Sequence, residues 1–486
     1  MTYATMSHMH SRSEKRKELL IFLYLVVVSS LLLMKYSTSS PAYFMNQWVD
    51  TDASLTVGRS ILQGIVPYRD LFDQRGPLLY LISALCSIFE FPNTFFGFYI
   101  YEVLCGGIFL YFCRKLLHVF SGESADVFLA TAPFFYWLLL READFGLGGS
   151  PEELCVPALM ITLYILIRAI HLKEPLTFQK GIWIGLCAGY VFWIKYNMMG
   201  LYAGAAIAFL ISYGMQSEWK RIGNVLLGVI TGIGIMSFPV FLYFGLNRAL
   251  SDMFTVYFAD NILYYTTDYR ILYKFYFSVI HLFSTIKNNL FLWIMIAIGG
   301  IYCFLREKLL FCFLLLAGGF HVFFVYQGGQ PFPYYGYSFV IYGVMGYLWL
   351  EHLKYPAQAG KILIAVGLVF AAVPAFQALK VHFSSSQNET VQNRFAEDMD
   401  PDSTLLTYHS LDLGMYVAAG IKPSVYYSWV GNLMTKQISE VQDQYVEDEI
   451  TEYVVSTEEI PQTVLSGKYR LIDHYNGYFL YQRIEE

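Results

Sequence analysis

The stretch Lys15-Arg16-Lys17-Glu18-Leu19-Leu20-Ile21-Phe22-Leu23-Tyr24-Leu25-Val26-Val27-Val28-Ser29-Ser30-Leu31-Leu32-Leu33-Met34 decides the class of fold. From Leu19 to Met34 it carries no charge, and a helix crossing a bilayer core needs about 20 mainly apolar residues. Basic residues, Arg12 among them, precede the run, and no small-residue cleavage site follows it. It therefore reads as an uncleaved signal-anchor, with the N-terminus cytoplasmic and the chain emerging outside near Lys35.

The whole 486-residue chain shares this character. It is 56% hydrophobic, 18% aromatic and only 14% charged, with a mean hydropathy of +0.44. Soluble domains carry about 25% charged residues, so a large soluble enzyme and a disordered chain are both excluded. The net charge of -6 gives no reason to expect a nucleic-acid partner. The seven cysteines (Cys86, Cys105, Cys113, Cys155, Cys187, Cys303 and Cys312) lie in or beside apolar stretches without a CxxC pair. They read as small buried hydrophobes, not as a disulfide framework or a zinc site.

The next apolar run, Pro77 to Phe89, is short for a span and suits a helix lying at the interface. If it does not cross, Asn93 to Leu117 runs inward and sets Arg114 and Lys115 in the cytoplasm. Further spans are expected at 125–140, 152–170, 181–196, 198–213, 222–246, 290–306, 308–327, 335–353 and 361–380, about eleven in all. The loops and span ends then taken as cytoplasmic hold Arg168, Lys173, Lys180, Lys220, Arg221, Arg306, Lys308, Lys354 and Lys361. The fold expected is a polytopic α-helical membrane domain over residues 1–380, followed by a small extracytoplasmic α/β domain over 381–486. In that tail Ser403–Tyr408, Tyr453–Ser456 and Tyr478–Arg483 read as strands and Thr435–Asp448 as a helix.

Three large segments fall on the outer side: the loop 36–92, the aromatic stretch 254–289 with Arg270 and Lys274, and the tail. The first is the richest in chemistry. Asp50, Thr51 or Asp52 can cap a short amphipathic surface helix that stops at Gly64. Asp50, Asp52, Asp70 and Asp73 alternate with Arg59, Arg69 and Arg75 beside a membrane. Carboxylates can act as general bases or hold a divalent cation, and arginines can neutralise a phosphate.

This segment resembles the membrane glycosyltransferases of the GT-C fold, in particular the bacterial protein-mannosyltransferase and lipid A aminoarabinose-transferase group. That pattern is an acidic residue after the first span, an Ile-Ala-Arg-like helix turn, a Gly-x-x-Pro/Trp turn and a Lys-Pro-Pro-Leu-Leu-Tyr-like helix start. Here these are Asp50, Val57-Gly58-Arg59-Ser60-Ile61-Leu62, Gly64-Ile65-Val66-Pro67-Tyr68-Arg69-Asp70, and Gln74-Arg75-Gly76-Pro77-Leu78-Leu79-Tyr80. The resemblance implies that Pro77–Phe89 is a juxtamembrane helix and that the catalytic acid is Asp50, with Asp52 as the alternative. Its basic residue falls on Arg75, with Gly76 replacing the first proline.

The resemblance also implies an acidic residue at the head of a later span, which falls on Glu152 or Glu153 in Gly148-Gly149-Ser150-Pro151-Glu152-Glu153. A helix start explains these acids equally well, because Ser150 can cap and Pro151 suits the first turn. Arg141, Glu142 and Asp144 nearby are able to pair with one another. Lys195 stands between two apolar runs, where an ionisable group is costly and often functional, although a snorkelling lysine would also fit. The segment Gln327–Tyr337 has the character of an aromatic interface belt, and related enzymes have a Tyr- or His-rich patch there.

The resemblance implies transfer of a sugar from a polyprenyl-phosphate donor to a glycan, lipid or protein acceptor at the outer face of a plasma membrane, bacterial in character. Asp50 or Asp52 would be the base. Arg75, Lys195, Arg69 and Arg270 would bind the donor phosphate, and Glu152 or Glu153 would position the acceptor or a metal. No cofactor is required by these residues, and a divalent cation is left open. The rivals are a transporter or flippase of lipid-linked glycans, which would commonly show repeated halves, and a glycan polymerase or ligase.

Overall fold

In the computed structural model, residues 3–90, 94–265, 270–353 and 356–484 are described. Pro92, Asn93 and Lys354, used above in reading the spans, lie outside them. The chain is a helical bundle with a small sheet domain at its C-terminal end. Its first half comprises α1 (Tyr3–Tyr36), α2 (Val49–Leu62), α3 (Pro77–Cys86), α4 (Phe96–Phe120), α5 (Gly122–Leu140), α6 (Pro151–His171), α7 (Phe178–Lys195), α8 (Gly200–Met215) and α9 (Trp219–Leu246).

Seven helices among the described residues are long and apolar enough to cross a membrane, or eight if the pair Ile271–Asn288 and Leu290–Arg306, bent by 108°, counts as one span. This makes the chain a multi-pass membrane protein. The eleven apolar runs do not map onto eleven long helices, for identifiable reasons. The runs at 181–196 and 198–213 join into one stretch, Phe178–Met215, interrupted by a single 3-10 turn at Tyr196–Met199. The run at 335–353 is built from short pieces, 3-10 at Pro333–Phe339 and Val344–Leu350 around one α turn. The run at 125–140 forms the 19-residue α5, which carries Glu123 in its first turn.

The basic ends gather at one end of the bundle. Arg114 at the foot of α4 reaches Glu18 of α1 (3.1 Å), His171 reaches Glu307 (3.1 Å) and Arg306 reaches Glu351 (2.7 Å). The opposite end collects the three large segments. Asn261 donates to the Gln74 carbonyl (2.9 Å), and the Phe72 amide donates to the Tyr426 carbonyl in the tail (2.9 Å). The charge pattern that placed Pro77–Phe89 off the spanning path agrees with α3, a helix of only ten residues.

The expected surface helix is instead an interior one. Thr51 to Gly58 of α2 are all buried, because α2 is enclosed by α3, the 148–149 turn and the tail. A Cβ at Gly58 would lie 2.5 Å from the Ser83 backbone carbon, and one at Gly149 2.3 Å from Thr51 Oγ1. The helix begins at Val49 with Trp48 as its N-cap, so neither aspartate caps it.

The tail carries a four-stranded sheet in the order β1-β2-β4-β3: β1 (Leu405–Tyr408), β2 (Tyr453–Ser456), β3 (Tyr469–Tyr475) and β4 (Tyr478–Arg483). β1 and β2 are parallel and the other pairs antiparallel. The predicted strands and the helix Thr435–Glu447 are present. β3, which the strands expected above do not include, is an edge strand, with Arg470, Asp473 and His474 breaking the alternation at a bulge. Its signal was the turn Asn476-Gly477, both residues at positive φ, which is hairpin chemistry. All seven cysteines are free and six are buried.

Two stability outcomes follow from how α2 is enclosed. Gly58→Ala should lower the thermal midpoint of the purified protein, at a cost of about 1–3 kcal/mol, since the added methyl meets backbone. The second concerns Asp412, fully buried in the seam between tail and α2, whose carboxyl burial pushes up to about 6. An acid raised in the folded state costs stability as pH climbs from its ordinary value to the folded one, about 3 kcal/mol for this shift. Asp412→Asn should therefore raise the thermal midpoint at pH 8 and leave it unchanged at pH 4. An equal effect at both would show that the carboxyl's charge is not the cause.

Candidate functional site

The three large segments enclose a cavity of about 220 Å³. From the first loop it is lined by Asp50, Gln74, Arg75 and Gly76, and from the 3-10 break after α7 by Lys195, Tyr196 and Asn197. Lys274, Gln327, Gln330, Tyr334 and Tyr335 complete the wall toward the later helices, and the tail adds Asn432.

Asp50 sits in the first turn of α2 with its side chain 15% exposed. Arg75, 11% exposed, forms an ion pair with it and a second pair with Asp73 (2.6 Å). Burial alone would raise the Asp50 carboxyl; the Arg75 guanidinium and the Lys195 ammonium outweigh it and hold the group below its ordinary value. Asp50 is thus ionised at neutral pH. Arg75 is set by its own loop: Tyr68, held at φ 69, donates from its hydroxyl to the Arg75 carbonyl (2.6 Å). A non-glycine residue in that conformation is strained and persists only where its surroundings fix it, as often happens at functional sites.

Gly76, where the related pattern has proline, has a direct cause. A Cβ there would lie 2.3 Å from the Trp193 and Ile194 carbonyl oxygens. Only glycine lets the loop approach the end of α7 closely enough to face Arg75 and Lys195 into one cavity.

Lys195 ends α7 in an extended conformation (φ -159°) before the 3-10 turn. Its ammonium pairs with Glu152, which is fully buried, and lies 4.2 Å from the Tyr335 ring centroid and 5.5 Å from that of Tyr334. Breaking a buried pair of this kind by removing one partner costs about 3–5 kcal/mol. The aromatic segment therefore does more than mark an interface, since it covers the lysine head with two rings.

The remaining expected residues divide. Asp52 is 2% exposed and faces the tail: a Cβ on Gly414 would lie 3.2 Å from its carboxylate, and burial followed by the nearby Asp412 drives its carboxyl well above the ordinary value. It does not line the cavity. Glu153 turns away, its Oε2 accepting from the Gly149 amide (2.7 Å), while Ser150 caps α6 (3.2 Å) with Pro151 next to it as expected. Glu152 lies behind Lys195 and not in the wall. Arg69 pairs with Asp70 (2.8 Å) and donates to the Asn247 carbonyl (2.7 Å), outside the cavity. Arg270 is exposed over the Tyr273 ring (3.9 Å) and does not line it either.

The cation from that segment which does line the cavity is Lys274, one helical turn further on. Among the described residues it has no ion-pair partner. The signal was its spacing within Ile271–Asn288, whose other face exposes Tyr273, Phe275, Tyr276 and Phe283. Arg141 pairs with Glu142 (3.8 Å), but Asp144 is buried against Gly336, where burial pushes it up to about 7. No group of three His, Cys, Asp or Glu residues converges among the described residues.

The arrangement is an ionised carboxylate in contact with an arginine that bridges it to a second carboxylate, flanked by two lysines and a row of amides, at one end of a membrane bundle. It can accept a proton and stabilise an anion within the same cavity. No family model matches the sequence, and no curated protein matches it. Among solved structures, the chain is similar to ArnT from Cupriavidus metallidurans bound to undecaprenyl phosphate, with a TM-score of 0.64 at 10% identity over 96% of this chain and 98% of that one. The apo state of the same protein gives a TM-score of 0.62 at 10% identity over 97% and 98%. At that identity the likeness is one of fold, and it extends over nearly the full chain: this is the GT-C fold of ArnT, a lipid A aminoarabinose transferase.

Proposed function

We propose that the chain transfers a sugar from a polyprenyl-phosphate donor to a cell-envelope acceptor at the extracytoplasmic face of a bacterial plasma membrane, with inversion at the anomeric carbon. The observation that carries this reading is the contact of ionised Asp50 with Arg75 in a cavity also faced by Lys195 and Lys274. The fold supports it, since ArnT has a structure with undecaprenyl phosphate bound. A cavity at the end of the bundle suits a donor whose tail stays in the bilayer while its head is polar.

In this mechanism Asp50 accepts the proton of the acceptor hydroxyl as its oxygen bonds to the anomeric carbon. The bond from that carbon to the phosphate oxygen breaks on the opposite face, and the electron pair leaves with the polyprenyl phosphate. Lys274 and Lys195 face the growing charge, and Arg75 joins them from behind Asp50. Glu152 serves by fixing Lys195 and not by positioning the acceptor. The amides of Asn197, Gln327, Gln330 and Asn432 offer neutral donors and acceptors to sugar hydroxyls.

Cells lacking the gene should accumulate a polyprenyl-phosphate sugar, and the wild-type chain should clear it. Asp50→Asn, at equal protein level, should slow clearance by at least about a hundredfold, whereas Asp52→Asn should clear it normally. Full clearance by Asp50→Asn, or no accumulation without the gene, would overturn the proposal. The pH profile supplies a second reading. With Asp50 held low, activity in isolated membranes should persist below pH 5. Arg75→Gln leaves burial as the dominant influence, so the acid limb should move to higher pH as the rate falls.

A further inference from the structure

The tail reaches the site through one side chain whose partner has no obvious need of it. Trp429 is 1% exposed, and its indole Nε1 donates to Asp73 Oδ2 (3.1 Å) from 356 residues away in the chain. Asp73, 4% exposed, already accepts from the Arg75 amide (3.1 Å), the Arg75 Nη1 (2.6 Å) and the Tyr80 hydroxyl.

The seam around Trp429 is specific. The Tyr426 hydroxyl donates to the carbonyl of strained Tyr68 (3.0 Å), the Phe72 amide donates to the Tyr426 carbonyl (2.9 Å), and Asn432, three residues beyond Trp429, enters the cavity wall. Tyr68 in turn holds the Arg75 carbonyl (2.6 Å). The segment 426–432 thus touches the Arg75 loop at its backbone and at the counter-ion of its guanidinium.

Arg75 is shared between two carboxylates, Asp73 behind it and Asp50 at the cavity. The more charge Asp73 leaves unsatisfied, the more strongly it draws the guanidinium back. A fourth donor on Asp73 weakens that pull and leaves Arg75 free to face the cavity. We propose that Trp429 is a positioning residue: through Asp73 it sets Arg75 toward the cavity, so the C-terminal domain is a working part of the donor-phosphate site. This rests on the reading of Arg75 as a phosphate-facing group.

A double-mutant cycle with the full-length chain in nanodiscs tests this, using undecaprenyl phosphate as the probe and its dissociation constant as the readout. Trp429→Phe keeps an aromatic ring and removes only the N–H donor. It should weaken binding about tenfold, the scale of one hydrogen bond to a charged group. In an Arg75→Gln background the same change should have no effect. An equal loss in both backgrounds would mean that Trp429 only packs the seam, and would overturn the proposal. So would unchanged binding in Trp429→Phe. Should the wild-type chain itself fail to bind the probe, the donor reading falls first and this inference with it. Thermal midpoints measured alongside separate misfolding from loss of the site.

Discussion

The structure depends on one shared cation. Arg75 lies between Asp50 and Asp73, nearly withdrawn from water, and its ion pairs with both carboxylates offset the cost of burying charge there. Everything around it serves to place that guanidinium: a loop strained at Tyr68, a glycine at 76 that lets two backbones touch, and a tail that supplies a donor to the rear carboxylate. A buried charge that is held this closely constrains its neighbours more than apolar packing does, because displacing any partner strands a charge.

The second polar centre follows the same logic with different parts. Lys195 stands where α7 ends and a 3-10 turn begins, a break that turns its side chain toward the first loop. Glu152 neutralises it from below and the rings of Tyr334 and Tyr335 cover it. Two compensated cations and Lys274, which has no ion-pair partner among the described residues, therefore face a common space. A phosphate entering it meets donors that are already oriented, which is the condition for stabilising charge without rearrangement.

The acidic residues of the first loop show how burial assigns roles to chemically equal groups. Asp50 and Asp52 are two positions apart on one helix, so they point to different sides of α2. One meets Arg75 and remains charged. The other meets the tail and a second carboxyl, and burial drives its carboxyl well above the ordinary value. The same helix therefore carries one carboxylate that lines the cavity and one buried against the tail.

Much of this was legible in the residues alone. The apolar runs with basic flanks identified a multi-pass membrane protein, because the bilayer demands such runs whatever the fold. The loop pattern around Asp50, Arg75 and Pro77 pointed to the fold, and strand alternation revealed most of the tail. What the sequence could not decide was which of two aspartates faces the cavity, which cation of the aromatic segment joins it, or that Trp429 reaches Asp73. Local sequence carries helix phase and polarity, but those three outcomes depend on segments hundreds of residues apart closing over one another. Only the packed tertiary structure determines where a long-range partner removes water and where a space is left open.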